Sequence, residues 1–193
     1  YEIKASSVSD VERIAGAVPR NLPTYIEVPL GGDVNAWVAS IADAGRRAKV
    51  RMGGTTADMM PPADAVVQFF RACVAHGVAA KATAGLHHPL RGAYRLTYEP
   101  DAATGRMYGF LNVALAVAHI GNGGSDADAV QLLEESDAGR IEFNDLHVAW
   151  HGPDRTITFT RDLLQRMREG GLVSFGSCSF TEPVDESRAL GWL

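Results

Sequence analysis

Lysine is scarce in this 193-residue chain: of 18 basic residues only three are lysines, Lys4, Lys49 and Lys81. The others are arginines without a basic run, and the formal net charge is −5 with a pI near 5.6. That balance argues against a surface that tracks a polyanion, so nucleic acid is not expected as a partner. Cysteine is also scarce. Cys73 and Cys178 are too few for a disulfide framework, and no Cys-x-x-Cys pattern offers a structural metal or redox site. A reducing, cytoplasmic setting is the resulting expectation. No apolar run approaches a membrane span, since Met107–Ile120 is too short and carries Asn112 and His119, so no membrane partner is expected. No Gly-x-Gly-x-x-Gly turn follows a strand-like run, which removes the main sign of a dinucleotide fold. There is no signal-peptide pattern either. The chain opens at Tyr1 directly in a strand-like run and is read as a fragment, or a separately expressed domain, whose partner segments lie upstream.

What is present is a repeated switch between short β-type runs and helical periodicity. Tyr1–Ala5, Thr24–Val28, Ala48–Met52, Val78–Thr83 and Leu172–Ser177 read as strands, with Ile141–Trp150 an ambiguous sixth. Helices are expected over Val8–Ala17, from Asp33 through Ala44, over Pro62–Ala75, Met107–His119, Asp126–Glu134 and Arg161–Arg168, and in a short terminal segment, Asp185–Leu190. Such alternation specifies a parallel sheet with right-handed crossovers. The fold class is therefore α/β, a single (β/α) TIM-barrel-like domain over residues 1–193, incomplete at the N-terminus because about six strands fall short of eight. Unpaired edges would favour a homodimer. The segment His87–Arg106 contains the alternating Ala93–Tyr98 and the turn-like Pro100–Gly105, a hairpin or lid over the strand ends. Trp37, Phe69, Phe70 and Met107 are assigned to the core.

All three lysines fall inside strand-like runs, where an unpaired ammonium is costly to bury. Side chains alternate along a strand, so Lys4, Glu27, Arg51 and Lys81 can face one interior, with Lys49 sharing the face of Arg51. Cations outnumber carboxylates there, and the excess invites an anion. The competing reading is a buried ion-pair network that only fixes strand register.

The densest motif is Lys81-Ala82-Thr83-Ala84-Gly85-Leu86-His87-His88-Pro89-Leu90-Arg91-Gly92. Over about five residues it resembles the Schiff-base lysine strand of deoxyribose-phosphate aldolase-type barrels, where glycine follows the lysine by four positions. The resemblance implies a nucleophilic Lys81 attacking a carbonyl. It departs from that family in lacking a second lysine on the following strand, and Lys49 could substitute only with different geometry. The same string, with Phe175-Gly176-Ser177-Cys178-Ser179-Phe180, is also similar to an uncharacterised bacterial family to which no activity attaches. His87 and His88 suit general acid/base work or hydrogen bonding to a substrate oxygen. A metal is not expected, because adjacent histidines seldom share one ion and no Asp or Glu lies within the motif. Gly53-Gly54-Thr55-Thr56 and Gly176-Ser177-Cys178-Ser179 are turns through which backbone N–H groups can approach a phosphate, the second through Ser177 and Ser179. Cys178 reads as a small buried residue, for which no base can be assigned.

The functional expectation is an enzyme acting on a small anionic metabolite, phosphorylated or carboxylated, by lyase- or aldolase-like chemistry without a cofactor. Lys81 would be nucleophile or electrostatic catalyst, Lys49, Arg51 and Arg91 would hold the anion, and Glu27 with His87 or His88 would move protons. The alternative is a non-catalytic domain that binds an anionic metabolite through the same cations.

Overall fold

A computed structural model describes residues 1–193. β1 (Glu2–Lys4) leads to α1 (Val8–Ala17), where the Ser7 hydroxyl accepts from the Asp10 N–H and the Asp10 carboxylate accepts from the Ser7 N–H. β2 (Tyr25–Glu27) precedes α2 (Val34–Asp43), which Asp33 caps and whose Val34, Trp37, Val38 and Ile41 form the buried stripe. β3 (Arg47–Arg51), α3 (Ala63–Ala75, with Pro62 at its start) and β4 (Ala80–Thr83) continue the alternation. A hairpin of β5 (Gly92–Arg95) and β6 (Thr104–Met107) then precedes α4 (Phe110–Gly121) and α5 (Asp126–Glu134). β7 (Ile141–Phe143), β8 (His147–His151) and β9 (Thr156–Thr160) form an antiparallel sheet, and α6 (Arg161–Gly170), β10 (Leu172–Phe175) and α7 (Glu182–Ala189) end the chain.

The main sheet pairs β1, β2, β3, β4 and β10 in that order, all parallel. Sequential order with right-handed crossovers puts the connecting helices on one face. Ile26, Ala48, Val50, Ala80 and Ala82 point to that face and are fully buried. Alternation turns Glu2, Lys4, Tyr25, Glu27, Arg47, Lys49, Arg51 and Lys81 to the other face. Glu2 and Lys81 lie three strands apart, about 14 Å across a flat sheet at the usual spacing. Their side chains nevertheless meet at 2.6 Å, so the sheet curls toward its charged face.

Two sequence expectations are corrected. The TIM-barrel reading gives way to an open five-stranded parallel sheet with β1 and β10 at its edges, because five strands cannot close with eight-strand geometry and the remaining strands pair antiparallel elsewhere. Ile141–Trp150 is not a sixth parallel strand but most of a β-hairpin, extended by the unforeseen β9, whose alternation buries Phe159 and half-buries Ile157. The expected hairpin within His87–Arg106 forms, and its second strand takes Met107, which delays α4 to Phe110. Trp37, Phe69, Phe70 and Met107 are buried as expected. No helix is long and apolar enough to cross a membrane.

α4 holds the far layer through one buried amide. Asn112 accepts from the Arg91 N–H (2.8 Å) and donates to the carbonyls of Leu132 (2.8 Å) and Glu135 (2.9 Å), fixing the start of the hairpin and the end of α5 to the same helix. Asn112→Leu leaves three backbone groups without a partner and is expected to cost roughly 3 kcal/mol in urea denaturation. A change under about 0.5 kcal/mol would remove Asn112 from this role.

Candidate functional site

The charged sheet face carries the lysines and Glu27 to which the sequence points. Register places Lys4 beside Glu27, Glu27 beside Lys49 and Lys49 beside Lys81 in one row across four strands. Lys49 Nζ bonds Glu2 (2.7 Å) and Glu27 (2.9 Å), while Lys81 Nζ bonds the other oxygen of Glu2 (2.6 Å). Hydrogen bonds from Lys49 and Lys81 lower the Glu2 carboxyl from its ordinary 4.5 to about 2. Burial works against the Lys49 ammonium, but its bonds to Glu2 and Glu27 outweigh this and raise its pKa above the ordinary lysine value. Tyr25 completes the patch, with Lys81 Nζ 5.8 Å from its ring centre and Arg47 donating to its hydroxyl at 2.9 Å.

Glu27, Arg51 and Lys81 thus share a face. Within the contacting cluster, however, two lysines meet two carboxylates, and the excess cations, Lys4, Arg47 and Arg51, are exposed. Arg91 does not join them. The loop after β4 carries it to Tyr108, whose ring centre lies 4.9 Å from the guanidinium, and to Glu134 at 3.5 Å, in a groove of about 580 Å³ beside Pro61 and Asp64. The expectation that Arg91 serves the same anion as Lys49 and Arg51 is therefore corrected.

The second site lies at the C-terminal ends of β4 and β10. Leaving β4, Ala84 (φ 63°) and Gly85 (φ 69°) are both left-handed, a conformation that costs an alanine about 1 kcal/mol. A Cβ at Gly85 would lie 3.3 Å from the Cα of Gly53, so the turns after β3 and β4 interlock. This turn directs two histidines into the gap between the β5–β6 hairpin and the segment after β10. His87 Nδ1 accepts from the Cys178 N–H at 3.1 Å and lies 3.3 Å from the Ser177 hydroxyl, while Nε2 is 3.8 Å from Cys178 Sγ. Accepting a backbone N–H at Nδ1 assigns the proton of the neutral ring to Nε2. Burial, then repulsion by His88, lowers the His87 pKa against the opposing pull of Glu182.

His88 is buried. Its Nδ1 sits against both oxygens of Glu186 (2.8 and 3.0 Å), and its ring stacks on Tyr94 at 3.4 Å and 8°. The Tyr94 hydroxyl donates to the Leu90 carbonyl at 2.9 Å, which holds the stack. Tyr98 reaches from the hairpin to donate to Glu182 Oε2 at 3.2 Å. His87, His88, Tyr94, Tyr98, Cys178 and Glu182 border a cavity of about 420 Å³, with Thr55 from the glycine-rich turn after β3 and Arg95 as its single lining cation.

No family model matches this chain, and no curated protein or solved structure matches it.

Of the residues expected from sequence, His87, His88, Ser177 and Ser179 come together at this rim, whereas Lys81, Glu27, Lys49 and Arg51 lie on the sheet face and line none of the cavity described above. Both serines serve local turns: Ser177 Oγ accepts from the Ser179 N–H, and Ser179 Oγ accepts from the Glu182 N–H ahead of α7. Cys178 is exposed rather than buried and has His87 beside it, which corrects the expectation of a small core residue without a base. Tyr94, Tyr98, Glu182 and Glu186 were not anticipated. Their one sequence signal is the i, i+4 spacing of the two glutamates, which puts both on one face of α7.

The Glu2 pairs make stability depend on acid in a definite direction. With a folded value near 2, below the ordinary 4.5, their contribution is complete above pH 4.5 and is lost as pH falls through about 2. Thermal midpoints of wild type and Glu2→Gln are expected to differ from neutral pH down to about 4.5, wild type being higher, and to converge toward pH 2. A constant gap over that range would mean that the ion pairs do not stabilise the fold.

Proposed function

We propose that this chain is an enzyme of lyase or aldolase type that acts on a small carbonyl-bearing, anionic metabolite in the rim cavity, on a barrel-like wall of parallel strands. The observation that carries the reading is the fixing of His87: with Nδ1 engaged by the Cys178 N–H, its Nε2–H is a prepositioned donor at the cavity wall. A neutral imidazole in that state can donate to a carbonyl oxygen and stabilise the negative charge that develops there as the proton of an adjacent C–H bond, or of a β-hydroxyl whose C–C bond breaks, passes to water in the cavity. Removing one such donor typically costs ~10²–10³ in rate. Arg95 is the cation available to an anionic group of the substrate, and Thr55 offers a hydroxyl elsewhere on the cavity lining. The location agrees with the general rule that parallel α/β sheets carry their chemistry beyond the C-terminal ends of the strands.

Lys81 has a different part in this reading. Its nitrogen donates to Glu2, and that bond must break before the amine can attack a carbonyl. The matching of Lys49 and Lys81 by Glu2 and Glu27 favours a structural role for the sheet face, in which the charges fix register and curvature.

The test is deuterium uptake from solvent into a panel of small phosphorylated and carboxylated β-hydroxy ketones and keto acids, followed by proton NMR. Wild type is expected to exchange the proton next to the carbonyl of at least one of them, and His87→Gln to lose about 100-fold or more of that rate with an unchanged melting temperature. Borohydride trapping of a substrate adduct on Lys81, with His87→Gln still active, would instead support the Schiff-base mechanism. Saturable binding without exchange in wild type would make the cavity a metabolite sensor.

A further inference from the structure

Within the rim, one group of side chains has a chemistry that the His87 reading does not use. One imidazole nitrogen of His88 and one carboxylate oxygen each of Glu182 and Glu186 lie within 4.8 Å of one another. We infer that His88, Glu182 and Glu186 form a binding site for a divalent transition-metal ion, zinc or manganese, which opens onto the 420 Å³ cavity.

The donors are mixed in kind and come from distant parts of the chain. His88 is held in the turn after β4 with only 9 % of its side chain exposed, while the glutamates occupy successive turns of α7. Carboxylates at i and i+4 repel, and such a pair weakens a helix unless a cation intervenes. Here no Lys or Arg pairs with either glutamate; Glu186 meets His88 alone, and Glu182 meets only the Tyr98 hydroxyl. Even a protonated His88 would leave the trio with one net negative charge in a half-buried setting, which a divalent ion reverses.

Geometry points the same way. Zinc binds imidazole and carboxylate at ~2.0–2.2 Å, so donors at tetrahedral angles around one ion approach a limiting separation of roughly 3.3–3.6 Å. A trio already within 4.8 Å reaches that limit by small side-chain shifts. Tyr94, stacked on the His88 ring, and Tyr98, bonded to Glu182, fix the orientation of two of the donors, as outer partners do in metal sites. Three protein ligands beside an open cavity leave coordination positions for water or a substrate oxygen. The imidazole favours zinc over calcium or magnesium, which prefer oxygen throughout, and the two carboxylates also suit manganese. The inference does not rest on the reaction proposed above, since it concerns metal binding alone.

The test is titration calorimetry of the full chain with zinc chloride and with manganese chloride, with magnesium chloride as control. One ion per chain is expected for zinc or manganese, and Glu182→Gln and Glu186→Gln should each weaken it by roughly 100-fold, the metal-free melting temperature of Glu182→Gln staying within a few degrees of wild type. Because Glu186→Gln also removes the His88 partner and can disturb folding, a second readout uses wild type only. Manganese should broaden the amide NMR signals of Thr97, Tyr98 and Glu182 before those of the sheet face. Absence of saturable zinc and manganese binding, binding unchanged in Glu182→Gln, or broadening centred elsewhere would each overturn the assignment.

Discussion

The pairing of β10 with β4 is the constraint on which the candidate site depends. Leu172 and Ala80 begin the register, and Gly176 continues it by donating to the Ala82 carbonyl at 2.9 Å. Two strands about ninety residues apart in sequence therefore end side by side, and whatever follows each of them is brought together. After β4 the chain turns through two left-handed residues and presents adjacent histidines. After β10 it presents Ser177, Cys178 and then α7 with its glutamates. The cross-bonds between these segments, Cys178 N–H to His87 and Glu186 to His88, then hold the imidazoles in place. A parallel sheet alone would leave both loops free to wander.

The lysine-bearing face shows how composition can point to the wrong end of a strand. Half-buried cations demand partners, and four successive strands with a lysine or glutamate at matched register supply them. Glu2 contacts Lys49 and Lys81 on two different strands, which requires the sheet to curl, so the same charges that reveal the strand order also shape the wall. Chemistry sits better past the strand ends, where backbone turns, a hairpin and a helix can be varied without disturbing the register.

Much of the framework could be read in the residues. Apolar spacing locates Val8–Ala17 and the Val34–Ile41 stripe, and β-rich runs around Lys4, Glu27, Lys49 and Lys81 locate four of the five parallel strands. Ala93–Tyr98 with Pro100–Gly105 marks the hairpin. The antiparallel sheet was obscured because Ile141–Trp150 reads equally as one long strand, and the Asn144–Leu146 turn inside it lacks glycine and proline. His87 and His88 stood out as an unusual pair, but their partners could not, since Glu186 lies 98 residues away and an apolar pattern carries no information on which helix docks where. Reading α7 as starting at Asp185 also left Glu182 outside it. With Glu182 at its first position, the i, i+4 pair becomes visible.

The segment after β10 locks His87 into one tautomer at the cavity wall. Nitrogen-15 NMR of the imidazole side chains at pH 7.5 tests it most directly. His87 is expected to have a proton on Nε2 and a hydrogen-bond-accepting, unprotonated Nδ1, in a single state. Nitrogen shifts averaged between the two tautomers, or a proton fixed on Nδ1, would contradict it.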